Sequence, residues 1–386
     1  MQSSERPDSV CVAAKWLGNR SNSSAHLLKA FPLSFSLELP AMSSEAKTAE
    51  SKSKQRQYFT RYSLALFLLI ATVLVLVAGL RTGAGNPDFK TYKLWYSENL
   101  LFQEYLANPI LIFQKDPGYF FISSIFYNLR FSFETFFLIF SGIFVLLKMR
   151  GIALLSNSPL ISALVYASSY FLLQEMVQVR AGAATCIFLF SIPYLVERKI
   201  VAYLFLVMLA TCFHYSSFIL AFLVFLRKGN ECPRWYLSVL IVCVLGAASG
   251  VTLDSVLFQI PWLNVDPRFA LYVNENEIDF LAMTLFNRVS ILNLFLCLIL
   301  LINFEKIKTI TPYASYIIRI FAIAHITYFA LSGFPVFAFR LSELMGIVGI
   351  IAWPLCFQLI RPTWLRFTFI TAVIINYYSA AVRLFA

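Results

Sequence analysis

The stretch YSLALFLLIATVLVLVAGL, Tyr62 to Leu80, contains no charged side chain and no proline. An α-helix rises about 1.5 Å per residue, so an apolar run of this length matches the roughly 30 Å hydrocarbon core of a bilayer. Inside lipid every backbone N–H and C=O needs a partner within the protein, and a helix provides one. The stretch therefore predicts a transmembrane helix.

The rest of the chain repeats this composition. Of 386 residues, 59% are hydrophobic, 13% are charged and 39 are Phe. Soluble domains carry roughly a quarter charged residues, so a soluble globular protein is excluded. Transmembrane β-barrels show short alternating segments instead of long apolar runs. The composition predicts an all-α, polytopic integral membrane protein.

The formal charge of +11 does not indicate nucleic acid. Many Lys and Arg residues form short clusters between apolar runs, as the positive-inside rule expects, and we predict no nucleic-acid partner. The seven Cys lie mostly inside apolar runs without CxxC spacing, and there are three His. Neither a disulfide framework nor a metal site is supported, so we expect no metal and no cofactor.

Two regions are predicted along the chain. Residues 1–57 are polar and rich in Ser, Lys and Glu, which predicts a disordered cytoplasmic tail. Met42 opens a plausible shorter start, which leaves open whether residues 1–41 belong to the natural product. Residues 58–386 form the polytopic region, with outer loops at about 81–118 and 253–284.

Apolar runs alternating with basic clusters predict about eleven transmembrane helices. The segment 200–226 fits one long span or two short helices joined by a turn near 213–217, and we favour the two because both flanking basic clusters then stay inside. The predicted spans are 62–80, 131–147, 158–174, 181–196, the pair within 200–226, 235–252, 285–303, 315–332, 341–360 and 366–382.

This topology separates two kinds of positive charge. Basic pairs in the predicted inner loops act as orientation signals; they include Lys148/Arg150, Arg198/Lys199, Arg227/Lys228 and Arg361/Arg366. Single arginines at the outer helix ends need another explanation; they are Arg180, Arg268, Arg288, Arg340 and Arg383.

The segment QEMVQVRAGAATC, Gln174–Cys186, places several polar groups between two apolar runs. Glu175 and Arg180 are five residues apart, about 140° around a helix, so they do not pair along one helix. Gln178 lies beside the Arg, and the small residues Ala181–Ala184 allow a neighbouring helix to approach closely. We predict a functional role for Arg180.

Two histidines lie in apolar runs. His214, in CFHYSSF, falls at the predicted outer turn on the same side as Arg180. A lone His is more often a hydrogen-bonded core residue, but His titrates near neutral pH and suits proton transfer. We favour a functional His214, and we interpret His325, which falls in the middle of a span, as a core residue.

Other arginines have candidate partners along their own helices. Arg340 can contact Glu343 at i,i+3, a pair that contributes only a few tenths of a kcal/mol. Arg288 has no nearby acid along its helix, and we regard both arginines as candidate site residues. Arg130 and Glu134 are expected to form a structural pair.

The first outer loop contains NPDFKTYKLWY. Asp88, Tyr92 and Tyr96 recur every four residues, which places them on one face of a short helix. Carboxylate and aromatic groups together are common in sugar-binding surfaces, and an interfacial aromatic belt is the alternative.

The chain resembles the EpsG-type family of Wzy-like polysaccharide polymerases over roughly residues 62–360. One feature is the Asp88–Tyr92–Tyr96 face, and the segment that follows has Asp116 where the family more often has Glu. The other matching stretches are DPGYFFISSIFYNLRFSFETFF (116–137), VRAGAATCIFLF (179–190), LATCFHYSSFIL (209–220), RFALYV (268–273) and FRLSEL (339–344).

The resemblance implies a GT-C-like helical architecture and a metal-independent glycosyltransferase at the outer face of the bacterial inner membrane. Such enzymes polymerise undecaprenyl-pyrophosphate-linked oligosaccharide repeats into exopolysaccharide, capsule or O-antigen. Implied partners are the lipid-linked donor and acceptor, the bilayer, a chain-length regulator and a flippase. A flippase for lipid-linked oligosaccharide, a glycan ligase and a structural scaffold of a polysaccharide assembly complex are the alternatives. The implied catalytic residues are Arg180, His214 (with Asp88 as the rival base) and Arg340, and the implied substrate-binding residues are Arg288, Arg268, Asp88, Tyr92, Asp116 and Gln178.

Overall fold

The computed structural model describes residues 61–81, 87–98, 116–229, 231–253 and 285–382, and these form helices without strands. The α-helices are α1 (Arg61–Gly79), α2 (Pro87–Ser97), α3 (Pro117–Asn128), α4 (Phe133–Leu155), α5 (Pro159–Ser168), α6 (Val179–Val196), α7 (Ile200–Phe213), α8 (Pro233–Ser249), α9 (Arg288–Ile302), α10 (Phe304–Ile307), α11 (Ala314–Ala330), α12 (Pro335–Gly346), α13 (Gly349–Phe357) and α14 (Thr363–Ala381). A π-helical turn, Phe171–Glu175, and a 3₁₀ helix, Tyr215–Phe225, complete the helical elements of these residues.

Local signals in the sequence explain where many helices begin. The Ser132 side chain accepts a hydrogen bond from the Thr135 N–H at the start of α4. Asn287 does the same for two N–H groups at the start of α9. Proline occupies the first helical turn of α3, α5, α8 and α12, where its missing N–H costs nothing.

The small residues after Arg180 lie in the most buried helix of the site region. Ala183 and Ala184 in α6 are fully buried, and α6 packs against α7 and α4. At Gly182 an added Cβ would lie 2.9 Å from a carboxylate oxygen of Glu175, so a larger residue would require the Glu175 side chain to move. The predicted close approach of a neighbouring helix at Ala181–Ala184 stays a prediction.

The segment 200–226 forms the predicted pair of helices, with His214 extended at the turn between them. The Tyr203 hydroxyl donates to the Leu220 carbonyl at 2.5 Å, which joins the two helices side by side. Arg198 donates to the Val224 carbonyl at 2.8 Å, so the two basic flanks lie at the same end. The single long span is therefore ruled out.

About eleven membrane-crossing helices are not confirmed. Within the described ranges, three helices are long and apolar enough to cross a bilayer, and the pair α12–α13, bent by 57°, would be a fourth. The qualifying helices are Tyr62–Gly79, Phe133–Leu155 and Val179–Val196. The difference arises because apolar runs are interrupted in the fold: the predicted span 158–174 becomes α5 plus the π-helical turn, and the predicted span 341–360 contains the α12–α13 bend.

The predicted inner loop at 148–150 is wrong. α4 continues through these residues to Leu155, and the Lys148 side chain is fully buried. Its ammonium lies 2.5 Å from the Glu175 carboxylate, so Lys148 is not an exposed orientation signal. The buried partner carboxylate compensates part of the free-energy cost of burying the lysine charge.

The predicted pairing of Arg130 with Glu134 is also wrong. The Glu134 carboxylate lies 2.9 Å from the Lys93 ammonium, which joins α4 to α2. Arg130 occupies the turn between α3 and α4 with a left-handed backbone, φ 61°.

His325 is buried with Nδ1 2.8 Å from the Phe321 carbonyl oxygen, which confirms the core interpretation.

Several predictions fall outside the described residues. They are the tail 1–57, most of the loop 253–284, much of the loop 81–118, and Arg268 and Arg383.

Candidate active site

The fold brings most of the predicted site residues to one end of the helix bundle. We call this group the Arg180 cluster, and its members are Asp88, Tyr92, Asp116, Arg180, His214 and Arg340. They come from α2, the N-cap of α3, the first turn of α6, the second turn of α12 and the residue that follows α7, so five separate segments converge there.

Arg180 has a partner that lies far away in the sequence. Its guanidinium Nη1 forms an ion pair with Asp116 Oδ2, and its Nε donates to the Tyr92 hydroxyl at 3.4 Å. The guanidinium carbon also lies 4.9 Å from the centre of the Trp95 ring. The Arg180 side chain is 26% exposed, whereas Asp116 is almost fully buried. A fixed, partly exposed guanidinium is suited to binding an anion.

Asp116 also connects Arg180 to the turn that carries His214. Asp116 Oδ1 accepts a hydrogen bond from the Tyr215 N–H at 3.3 Å. Two residues later, a Cβ on Gly118 would lie 3.1 Å from the Cys212 carbonyl oxygen, so the glycine lets α3 approach the end of α7. The sequence Asp116–Pro117–Gly118 thus starts α3 and places the carboxylate between Arg180 and the turn.

His214 is kept neutral by its surroundings. Burial lowers the pKa of His214 to about 3, and the positive charges of Arg180 and Arg340 act in the same direction. Both arginines are therefore close enough to influence the imidazole. A neutral imidazole at pH 7 has a free nitrogen lone pair that can accept a proton.

The predicted short helix in the first outer loop is confirmed as α2. Tyr92 is buried, and its hydroxyl reaches Arg180. Tyr96 points into the protein, stacks on Phe136 at 5.2 Å and donates to the Phe131 carbonyl, so it supports α2 and does not face a ligand.

Asp88 is the second acidic member of the cluster, and three arginines act on its carboxylate. Burial raises the pKa of Asp88 above its ordinary value, while Arg180, Arg340 and Arg81 oppose that rise. A carboxylate with a raised pKa is a better proton acceptor than one in water. Asp88 therefore stays a rival to His214 as a base.

Two further predicted residues lie less centrally. Gln178 is half-buried at the start of α6, where its backbone carbonyl accepts from the Gly182 N–H. Arg288 is exposed at the start of α9, a helix that packs mainly on α8, α11, α13 and α14. No described contact brings Arg288 to the Arg180 cluster.

A buried polar group lies next to the cluster, and sequence reasoning missed it. Lys148 contacts Glu175 and also donates to Gln174 Oε1 at 3.0 Å. Gln174 Nε2 donates to Glu343 at 2.9 Å, and the Tyr166 hydroxyl donates to Glu175 at 3.1 Å. We call these five residues the Lys148 network. It joins α4, α5, the π-helical turn and α12, and Glu343 lies three residues after Arg340.

Arg81 and Trp95 were missed as well. A positive charge directly after the first apolar run, at a predicted outer end, was the available signal for Arg81. Trp95 lies three residues after Tyr92 on α2, so helical spacing places it on a neighbouring face.

In the described part of the chain, no three His, Cys, Asp or Glu side chains are grouped as a metal site.

A protein-family model described as the EpsG family matches residues 64–385. This range includes every member of the Arg180 cluster. No curated protein and no solved structure matches the chain. The expected GT-C-like architecture therefore stays a prediction.

Proposed function

Because the chain belongs to the EpsG family, we propose that it is a membrane glycosyltransferase that polymerises oligosaccharide repeat units carried on undecaprenyl pyrophosphate. Family membership gives a polymerase-like role in polysaccharide biosynthesis, and the apolar helices give an integral membrane protein. The observation that carries the finer proposal is the convergence of Arg180, Asp116, His214 and Arg340 at one end of the bundle.

The donor in this reaction is already activated. The acceptor hydroxyl oxygen attacks the anomeric carbon of the growing glycan, and the bond from that carbon to the pyrophosphate oxygen breaks. The leaving undecaprenyl pyrophosphate takes the electron pair and gains negative charge. Arg180 and Arg340 stabilise that charge through preorganised donors, with Asp116 and Tyr92 holding Arg180 in place.

The acceptor hydroxyl must lose its proton in the same step. We assign this proton to the neutral imidazole of His214, which lies near both arginines. Asp88 is the alternative base, since its carboxylate is also close to Arg180 and Arg340. Protonation of His214 beside the departing pyrophosphate adds a further positive charge where negative charge develops.

The proposed location is the outer face of the bacterial inner membrane. The Arg180 cluster lies at the end of the bundle opposite the basic flanks Arg198 and Arg227, which the positive-inside rule assigns to the cytoplasm. The product is an exopolysaccharide, capsule or O-antigen chain. A chain-length regulator and a flippase of the same pathway are the proposed protein partners.

The test uses the purified full chain in liposomes with undecaprenyl-pyrophosphate-linked repeat units. Wild-type protein should extend the glycan with and without EDTA, because arginines supply the positive charge in the proposed mechanism. Arg180→Ala should reduce the rate by about 100- to 1000-fold, the loss typical of a single charge-stabilising donor. His214→Gln removes the proposed base. Arg150→Ala, which removes an exposed arginine on α4, is the matched control. Absence of extension by wild-type protein contradicts the polymerase proposal.

The Lys148 network keeps one alternative open. A flippase for lipid-linked oligosaccharide requires charged groups at membrane depth, and Lys148, Glu175 and Glu343 are buried charged groups. They contact one another or Gln174, which favours a structural role. The same liposomes decide between the functions: translocation of repeat units without chain extension supports a flippase. Transfer to a non-repeat acceptor supports a ligase.

A further inference from the structure

Arg81 is a charged residue that the mechanism above does not use. It follows α1 directly, at the end of the bundle that carries the Arg180 cluster. At Gly79 an added Cβ would lie 3.0 Å from the Leu138 Cα, so the glycine lets α1 press against α4. This contact places the Arg81 guanidinium 4.3 Å from the centre of the Phe137 ring.

Only one side of the Arg81 guanidinium is occupied by a hydrogen-bond acceptor among the described residues. Nη1 donates to the Glu175 main-chain carbonyl. Nε and Nη2 are buried and have no hydrogen-bond partner there. The Nε–H and the adjacent Nη2–H form one edge of the guanidinium plane, the edge that grips two oxygens of a phosphate or carboxylate side by side.

Buried donors without acceptors are rare in folded proteins because each one costs free energy. Burial lowers the pKa of Arg81 to about 10, so the group still carries its charge at pH 7. The protein groups that act on this charge include Asp88, Tyr92 and Tyr119, which lie at or beside the Arg180 cluster. The Nε/Nη2 edge, which has no acceptor among the described residues, therefore lies near the proposed pyrophosphate site.

We infer that Arg81 is a further binding residue for the pyrophosphate of the lipid-linked substrate, with its Nε/Nη2 edge taking two phosphate oxygens. This inference rests on the proposed function. The Glu175 carbonyl orients the guanidinium, and the Lys148 network fixes Glu175 in turn. Arg81 and Arg180 then contact the substrate from the segment after α1 and from the first turn of α6.

The test measures binding of sugar-free undecaprenyl pyrophosphate to the full chain in phosphatidylcholine nanodiscs. Arg81→Gln should weaken binding by about 10- to 100-fold, the loss expected for a charge-assisted bidentate contact. Arg81→Lys keeps the charge but lacks the planar edge, so it should restore only part of the affinity. Arg150→Gln, which replaces an exposed arginine on α4, should bind like wild type.

The outcomes separate this inference from the proposed function. Wild-type protein that neither binds the pyrophosphate lipid nor extends glycan refutes both. Wild-type protein that does both, with unchanged affinity in Arg81→Gln, refutes only the role of Arg81. If Arg81→Gln does not fold, wild-type affinity in Arg81→Lys refutes the bidentate contact. An equal loss of binding to phosphatidylglycerol vesicles assigns Arg81 to a phospholipid headgroup and overturns its role in the substrate site.

Discussion

Lys148 and Glu175 form a fully buried ion pair, with Nζ and Oε1 2.5 Å apart, between α4 and the π-helical turn that precedes Arg180. Tyr166 donates a further hydrogen bond to the same carboxylate oxygen. The pair joins two segments 27 residues apart in the chain. The backbone of Glu175 in turn holds Arg81.

Removal of one partner of this pair should destabilise the protein strongly. Lys148→Met leaves the Glu175 charge buried without compensation, which typically costs about 3–5 kcal/mol. The double variant Lys148→Met/Glu175→Gln removes both charges and should recover a large part of that loss. Thermal unfolding in detergent measures both, with Arg150→Met as the exposed control on the same helix. Equal melting temperatures for Lys148→Met and the control would contradict a stabilising pair.

Asp116 should act through Arg180. Asp116→Ala removes the carboxylate that holds the guanidinium, and we expect a rate loss of about 10- to 100-fold from misplacement of a catalytic donor. Because the two residues form one ion pair, Asp116→Ala/Arg180→Ala should be no slower than Arg180→Ala alone. The measurement is glycan extension in liposomes. Additive losses in the double variant would show that the two residues act independently.

Gly118→Ala should lower the rate of glycan extension more than the same substitution at Gly142. Its new Cβ would lie 3.1 Å from both the Cys212 carbonyl oxygen and a ring carbon of Phe213, so α3 must shift and carry Asp116 with it. Gly142→Ala on α4 is the matched control, because its Cβ meets only a methyl carbon of the Val75 side chain at 3.3 Å and no backbone atom. Initial rates of extension compare the two. Equal rates would show that α3 tolerates the displacement.

His214 should give the protein an acid-sensitive stability. Its pKa is about 3 in the folded chain and about 6.5 when unfolded. The unfolded state therefore binds a proton between these values that the folded state does not, and stability falls as pH falls below about 6.5, by at most about 1.4 kcal/mol per pH unit. His214→Gln should flatten this part of the pH–stability curve. An unchanged slope in His214→Gln would contradict a buried, neutral imidazole.

The same residue predicts two different pH–rate profiles. In the free enzyme the low pKa of His214 leaves the base unprotonated far into the acid range, so kcat/KM should persist well below pH 6.5. A bound pyrophosphate offsets the charges of Arg180 and Arg340 and raises that pKa. The acid limb of kcat should consequently lie at higher pH than that of kcat/KM. Coincident limbs would favour a base remote from the pyrophosphate.

Sidedness can be tested at the turn between α7 and the 3₁₀ helix. In a cysteine-free background, Ser216→Cys should react with a membrane-impermeant reagent added to the outside of intact cells. Lys228 is exposed and lies beyond the other end of the 3₁₀ helix. A cysteine at this position, Lys228→Cys, should react with the reagent only after the cells are permeabilised. The reverse pattern would place the Arg180 cluster on the cytoplasmic side.

Much of the site was predictable because its residues carry local signals. Arg180 was recognisable because it lies between apolar runs and has no acidic residue positioned to pair with it along its own helix. His214 was recognisable because the helical hairpin requires a turn there. Their partners were not predictable. Asp116 lies 64 residues from Arg180, and no helical periodicity connects positions that far apart.

Apolar runs, caps and turn residues act over a few residues, so the all-helical class, most helix positions and the helical hairpin at 200–226 follow from the amino-acid order. Which charges are buried, and with which partners they pair, depends on the packing of the folded chain. Lys148 resembles an orientation signal in the sequence, yet it is buried because Glu175 and Gln174 come from another segment to receive it. Burial of a charge is favourable only where a partner is brought to it, and that depends on packing between distant segments.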